Sequence, residues 1–480
     1  MNVLVVGGGI SGLVAAYELG RAGVPVTLIE AGPRLGGKVG TEHVEGYVVE
    51  RGPDSFLVGK PAAVQLCRDL GLAGALVPPR SPSDVFVWHG RLVPVPEGLG
   101  SGIPRAFRPV ALSPLFCLRE KLGLARELFV PPGTVSGDEP VGAFLRRRFG
   151  DALVDRLASP LLEGVYGTPV DELSLLALLP HLREAERRHG SLLRAALFQA
   201  RTVRVERAPG PPTLSLAGGM GSLVDALAER TSHTEIILDT AVVRLERAAP
   251  GYRALLGDGR WRSFGAVIVA TPTRSTASLL ADIAPGAASA LADMPYGSTA
   301  VVSLGYREDQ LAHPLAGHGF LVPPGALAIS ACTWSSSKWP GRAPDGSVLL
   351  RASVRAPRLL ATDDASLVEA VHAALASVLG VRGRPELARV ARHPGIMPRY
   401  TVGHLERVAA IDAALADEPR VQVIGAAYRG AGIPECIAQG RSAAAALVAL
   451  AVAGDGDNVP ASVETGEAAV RHLFRAEPDA

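Results

Sequence analysis

At 480 residues and 49.8 kDa, the chain has room for two or three domains of about 150 residues and for a large core, which excludes disorder and a small disulfide-stapled fold. Forty-eight basic residues against 47 acidic ones leave a net charge of +1, which supplies no global field for gathering nucleic acid. Only Lys38, Lys60, Lys121 and Lys338 are lysines, so the positive charge is nearly all arginine; a genome favouring arginine codons explains this, and recognition of planar carboxylates is the alternative.

The chain opens on an apolar run, Asn2 to Val6, that predicts a strand, and Gly7-Gly8-Gly9-Ile10-Ser11-Gly12 then breaks it before helical spacing resumes over Leu13 to Arg21. Val24 to Glu30 reads as a second strand. Together they make a βαβ unit of about 30 residues, the size of a dinucleotide-binding start. In that setting Gly9 lets backbone approach a pyrophosphate, Gly12 lets helix and strand pack closely, and the helix N-terminus offers unpaired N–H groups to the phosphates. Glu30 ends the second strand, where a carboxylate accepts from ribose hydroxyls and repels a 2′-phosphate, disfavouring NADP. Arg34-Leu35-Gly36-Gly37-Lys38 adds a second glycine pair, which FAD explains better than NAD.

From Lys60 to about Arg207 helical patterns dominate: Ala62 to Leu70, Leu115 to Phe129, Val141 to Phe149, Ala152 to Leu162 and Leu182 to Gln199. Pro78-Pro79, Pro131-Pro132-Gly133 and Pro209-Gly210-Pro211-Pro212 punctuate them. The α/β pattern returns from Leu214, with a helix through Leu223 to Leu227 and strands near Glu235 to Leu238, Ala241 to Leu245 and Ala266 to Ala270. Thr299 to Gly305 and Val348 to Val354 read as strands of a separate sheet. Val421 to Ile424 is a last short strand before a helix over Ile437 to Ala451. A strand-Gly-helix unit at each end predicts one discontinuous domain. Nothing repeats at a fixed period, and the polar tail after Gly454 carries at most a short helix near Ala468 to Phe474.

Cys67, Cys117, Cys332 and Cys436 lie far apart with no C-x-x-C, which suggests neither a zinc site nor a disulfide framework and fits a reducing, cytoplasmic setting. No basic n-region precedes the first strand. The longest uncharged apolar run, Ala443 to Gly454, falls short of the roughly 20 residues a spanning helix needs, so no transmembrane helix is expected.

Several segments resemble one flavoprotein family. The Arg34–Lys38 run is similar to the R-x-G-G segment of flavoproteins related to amine oxidases, and Gly52-Pro53-Asp54-Ser55 resembles a G-P-x-S turn beside the isoalloxazine. Pro398-Arg399-Tyr400-Thr401-Val402-Gly403-His404 and Gly425-Ala426-Ala427-Tyr428-Arg429-Gly430, running on through Cys436-Ile437, are similar to segments of the protoporphyrinogen/coproporphyrinogen oxidases of haem biosynthesis. Leu162 to Gly167 and Gly319 to Pro323 add to the match. The helical stretch Gly142 to Gly167 reads most like the bacterial branch acting on coproporphyrinogen III. The resemblance runs from Asn2 to about Val452.

That resemblance implies an α/β fold, α+β overall. A discontinuous Rossmann-like FAD-binding domain (1–60, 212–275, 395–454) would carry a mixed-sheet substrate domain (61–90, 276–394) and a mostly helical insertion (91–211), followed by the tail 455–480. It implies removal of six electrons from a porphyrinogen in three hydride transfers to flavin N5, with O2 as acceptor and H2O2 as product. FAD would be held by Gly7, Gly8, Gly9, Ile10, Ser11, Gly12, Glu30, Ala31, Arg34, Gly36, Gly37, Lys38, Gly52, Pro53, Asp54, Ser55, Val242, Leu405, Gly425, Gly430, Ala431 and Gly432. The substrate would meet Gly164 by backbone, Leu321 by its face, Ser353, and Arg105. Relatives carry a basic residue for a propionate near the start of the helical insertion; nothing in Pro96 to Arg105 matches cleanly, and Arg105 is the substitute. Val354-Arg355-Ala356 departs from a Gly-Gly pair of relatives and bears on the pocket near Ser353. His404 reads as a hydrogen-bonded turn histidine rather than a catalytic acid or base, and no catalytic side chain or metal is assigned.

Partners implied are the porphyrinogen and O2, with room for peripheral membrane contact and for the next haem-pathway enzyme. Two rivals stand: an amine oxidase or carotenoid desaturase on the same scaffold, and a non-catalytic flavoprotein. Amine oxidases use an aromatic cage and often a lysine near N5, for which Lys338 is the sole late candidate, in a chain that is only 5% aromatic.

Overall fold

A computed structural model describes residues 1–454 apart from 81–83, 97–98, 101–102, 105–106, 134–136, 203–210 and 232–233; the tail and Arg105 lie outside the described residues. Five short strands form one parallel sheet in the order Thr234–Ile237, Val26–Ile29, Val3–Val6, Ala266–Val269, Val421–Val423. The three central strands read VLVV, VTLI and AVIV and are buried at every position, as a parallel sheet covered on both faces requires. Val3 and Val5 point into one core with the helix Ile10–Arg21 and the C-terminal helix Ile433–Gly454. Leu4 and Val6 point into another with helices Thr273–Leu280, Pro285–Ala292 and His404–Ala414. Residues from both ends of the chain therefore share one sheet.

The C-terminal helix is longer than expected, starting four residues before Ile437. Ile433–Ala453 is long and apolar enough to cross a membrane by length and composition. In this fold it packs along Ile10–Arg21, and its Arg441 is ion-paired to Glu18 and Asp69. Its apolarity is that of a core helix.

A second, mixed sheet of seven strands runs in the order Leu387–Pro398, Tyr296–Arg307, Ser347–Val354, Ala331–Trp334, Gly319–Leu321, Val85–Trp88, Leu92–Pro94. Its pairings are antiparallel except where Gly319–Leu321 meets Val85–Trp88. The last two strands fall in the stretch after Lys60 where helical spacing dominates, and Leu92–Pro94 lies beyond the expected boundary at 90. Their aromatic and β-branched VFVW run pairs with a distant partner that short-range periodicity does not show.

The helical insertion departs from expectation in detail. The pattern over Leu182 to Gln199 is two helices, Pro180–His189 and Leu192–Thr202, because Gly190 takes a left-handed conformation between them. The helix expected over Ala152 to Leu162 is part of a continuous run from Asp151 to Tyr166, with a π turn at Val154–Ala158. Leu115 to Phe129 is helical only over Leu118–Ala125 and a 3-10 turn at Arg126–Phe129.

At the centre of this insertion lies an ion network. Arg148 and Glu127, both fully buried, pair directly, and Glu127 also accepts from the Ser191 hydroxyl and the Leu192 and Leu193 N–H groups. Arg148 spends its other donors on the carbonyls of Val130, Pro131 and Gly190. Removing one member leaves a buried charge uncompensated. Glu127→Gln should destabilise the insertion by about 3–5 kcal/mol, read as an earlier unfolding transition in urea. The double substitution Glu127→Met with Arg148→Met should recover at least part of that loss.

Candidate functional site

The glycine-rich turn after Val3–Val6 is built by close backbone packing. A Cβ on Gly12 would stand 2.0 Å from the Gly7 carbonyl oxygen, so helix and strand meet without a side chain between them. A Cβ on Gly9 would meet nothing within 4 Å, so this face of the turn opens on free space. The helix starting at Ile10 has no side-chain N-cap and no acidic residue in its first turn. Its N–H groups and dipole thus favour an anion there.

The second glycine pair sits against the first. Gly36 N–H donates to the Gly8 carbonyl at 2.7 Å, and Gly9 and Gly36 form a parallel bridge. Arg34 forks onto the carbonyls of Leu35, Gly37 and Val39, so in this structure it shapes the turn. Glu30 accepts from Gly8 N–H at 2.7 Å and Gly32 N–H at 2.8 Å, and each oxygen keeps a lone pair for a ribose hydroxyl. Ala31 is exposed beside it. Half-buried Val242 follows a turn whose Thr240 N–H donates to the Glu30 carbonyl.

Gly52-Pro53-Asp54-Ser55 forms the next wall. A Cβ on Gly52 would lie 1.8 Å from the Lys38 carbonyl oxygen, so these two segments meet backbone to backbone. The Lys38 ammonium donates to the Ile396 carbonyl at 3.0 Å, and burial pushes its pKa down. Asp54 accepts from Lys338 Nζ at 3.1 Å and Trp339 Nε1 at 3.0 Å, while Ser55 Oγ donates to its other oxygen. Burial alone would raise the Asp54 carboxyl, but Lys338, Arg351 and the Trp339 bond outweigh it and hold it well below the usual carboxylate range. Lys338 is therefore the counter-ion of Asp54.

From the C-terminal half, the Tyr400 hydroxyl donates to the Ala426 carbonyl at 2.7 Å and accepts from Gly430 N–H at 3.0 Å, fixing the loop ahead of the last helix. Gly425 opens that loop and has free space on its Cβ side; Ala431 and Gly432 are exposed. Glu435, in the first turn of the last helix, folds over Gly430 and Gly432 and pairs with Lys60. His404 is buried with Nε2 donating to the Tyr428 carbonyl at 3.0 Å, and burial pushes its pKa down. This is the geometry of a turn histidine. Leu405 is 44% exposed at the start of His404–Ala414, and no described contact ties it to the cradle.

The expected substrate residues come together from two units. A Cβ on Gly164, in the helix Ser159–Tyr166, would lie 3.5 Å from Leu321 Cδ2 on the seven-stranded sheet. Ser353 pairs with Ala331, which pairs in turn with Leu321, so Ser353 lies two strands away. Arg105 lies outside the described residues. Sequence reasoning marked Arg355 as a departure from relatives that bears on the pocket near Ser353, without giving it a contact of its own. Its guanidinium donates to the carbonyls of Glu163 and Gly164. The alternation Arg351, Ser353, Arg355 along one strand could have placed it on the same face.

Two measurements probe this geometry. Gly9 has ordinary extended backbone angles and an empty Cβ side, so Gly9→Val should fold normally, while its side chain fills the anion cradle. Absorbance of the purified variant should show flavin occupancy at least tenfold lower than wild type at equal circular dichroism, on the order of a lost phosphate contact. The Asp54 carboxyl is depressed, so its stabilisation is complete above the unfolded carboxyl value, begins to fall below about pH 4 and is fully lost only below the depressed folded value. Asp54→Asn should cost about 3 kcal/mol at pH 7. In denaturant titrations the gap between variant and wild type should hold down to about pH 4, narrow below it, and still be open at pH 3.

The model of the family described as flavin-containing amine oxidoreductase matches residues 10–448. A coproporphyrinogen III oxidase of Propionibacterium freudenreichii subsp. freudenreichii is 38% identical, covering 94% of this chain and 92% of that protein. One of Bacillus subtilis is 35% identical, covering 92% and 97%. A solved structure of a proposed protoporphyrinogen oxidase from Exiguobacterium sp. 255-15 superposes with a TM-score of 0.83 at 33% identity, covering 94% of this chain and 99% of the other. The open Gly9 cradle, the uncapped helix start and the Glu30 carboxylate all suit FAD, the cofactor of this class. The chain belongs to the flavin-containing amine oxidoreductase family and, within it, to the group of the protoporphyrinogen/coproporphyrinogen oxidases.

Proposed function

We propose that this chain oxidises a porphyrinogen to its porphyrin in haem biosynthesis, with coproporphyrinogen III as the preferred substrate and O2 as the final acceptor. Bound FAD supplies the two-electron acceptor. The observation that carries the reading is the meeting of Gly164, on the helical insertion, with Leu321, on the seven-stranded sheet. On the same strand as Ser353, Arg351 donates to the Gly52 carbonyl. In the Gly164 helix, burial and the nearby Glu435 carboxylate push the Tyr166 phenol up. Arg351 thus ties the seven-stranded sheet to the cradle, and Arg355 ties it to the helical insertion.

The residues there do three things. Leu321 offers an apolar face and Gly164 adds no side chain beside it, so a flat macrocycle lying against them would exclude water from the reacting carbon. Asp54 with Lys338, and Gly52 against Lys38, fix the loop that would line the flavin site. His404 is a neutral donor to a carbonyl, so it holds the loop rather than moving a proton. Peripheral contact with a membrane belongs to the same reading: Leu112, Leu118, Leu122 and Phe129 are exposed on the helical insertion beside Arg119 and Lys121. So does a cytoplasmic setting, which suits four free cysteines.

The test is a comparison of kcat/KM on coproporphyrinogen III and protoporphyrinogen IX, followed by porphyrin fluorescence. The expected ratio favours the tetracarboxylate by at least about tenfold. Oxidation of an amine, with no rise in fluorescence on either porphyrinogen, would overturn the proposal.

A further inference from the structure

The strand Ser347–Val354 and the residue that follows it place Arg351, Ser353 and Arg355 at alternate positions, hence on one face. Arg351 is anchored at the cofactor side, on the Gly52 carbonyl, and Arg355 at the helical side, on the carbonyls of Glu163 and Gly164. Those carbonyls lie in the last turn of Ser159–Tyr166, whose dipole favours a cation there. Yet Arg355 has only backbone carbonyls as hydrogen-bond partners, and among the described residues no carboxylate lies within ion-pair distance of it. It is half-buried, and burial pushes its pKa down to about 10. A guanidinium has five N–H donors, of which two are used here, so three remain. Gly164, whose carbonyl it holds, is the residue that meets Leu321 of the seven-stranded sheet.

We propose that Arg355 is the specificity-determining cation of the cleft, receiving a carboxylate side chain of the tetrapyrrole while its other donors hold the Gly164 helix in place. This rests on the porphyrinogen reading above. It assigns carboxylate recognition to the end of a sheet strand rather than to the start of the helical insertion. Planar fork geometry suits a propionate, and a guanidinium whose neighbouring carboxylate, that of Glu163, makes no ion pair with it gains from a ligand that brings a carboxylate into contact.

Because Arg355 also holds a helix, its substitution must be read with a ligand pair that separates charge from packing. The holoprotein, its Arg355→Met variant and its Arg355→Lys variant would be titrated with coproporphyrin III and with coproporphyrin III tetramethyl ester in one detergent buffer, following flavin and porphyrin fluorescence. Wild type should bind the free acid more tightly than the ester. Arg355→Met should weaken the acid by about 10- to 100-fold, the scale of one lost charge-assisted bond, and leave the ester unchanged. Arg355→Lys should fall between. Equal weakening of acid and ester would show a purely structural clamp and overturn the assignment, as would no weakening of either. Should Arg355→Met fail to retain flavin, the Arg355→Lys pair of titrations decides by the same comparison. Failure of wild type to bind coproporphyrin III at all would instead overturn the porphyrinogen reading on which the assignment stands.

Discussion

Backbone stands against backbone wherever the cofactor cradle is joined. A Cβ on Gly12 would lie 2.0 Å from the Gly7 oxygen, and one on Gly440 would lie 2.6 Å from the Ser11 oxygen, which sets the last helix directly on the first. With Gly52 against Lys38 and Gly37 against Gly9, these approaches link the segments near 10, 40, 50 and 440 in a chain of backbone contacts. Hydrogen bonds or ion pairs could not replace them, because long side chains would keep the helices 8–10 Å apart at ordinary crossings. Close contact leaves the first helix's N-terminus exposed on one side only, towards the free space at Gly9. The anion site is therefore a consequence of how tightly the termini pack.

Much of this was legible in the sequence, for reasons that differ by element. Val3–Val6, Val26–Ile29 and Ala266–Val269 are apolar at every position, a pattern that a strand covered on both faces must have, so their identity followed from composition alone. The glycine spacing gave the cradle because its chemistry is local. The break at Gly190 was harder, since both flanking helices keep one apolar phase into the same core. Strand Val85–Trp88 was missed because four residues carry too little periodicity to show a partner more than 200 residues away, and Leu92–Pro94, which pairs back onto it, was missed with it.

The candidate site divides in the same way. Gly164 and Leu321 were expected and do meet, but their contact joins two units that nothing local connects. Asp54 was expected near the flavin for its place in a turn, whereas its partner Lys338 lies 284 residues on. Lys338 looked like a candidate for an amine-oxidase lysine, and its pairing with Asp54 gives it a different task. Leu405 was carried by its neighbourhood to His404, and the helix start points it outward. Each difference arises where a residue's role is set by what folds onto it.

The abundance of arginine also finds a physical use that codon preference and carboxylate recognition do not cover. Arg34, Arg148, Arg355 and Arg392 each donate to two or more backbone carbonyls at loops and helix ends. A planar fork can close several carbonyls at once, which a lysine ammonium does with less geometric definition. Arg148 and Arg392 also carry ion pairs, with Glu127 and Asp364, so their charge is spent within the protein. Arg355 has the carbonyls without the ion pair. Carbonyl oxygens orient a guanidinium but do not cancel its charge. Beside Leu321, where a bound macrocycle displaces water, the field of that charge is screened less than at the surface. The same clamp that sets the position of Gly164 thus leaves a guanidinium whose neighbouring carboxylate, that of Glu163, makes no ion pair with it.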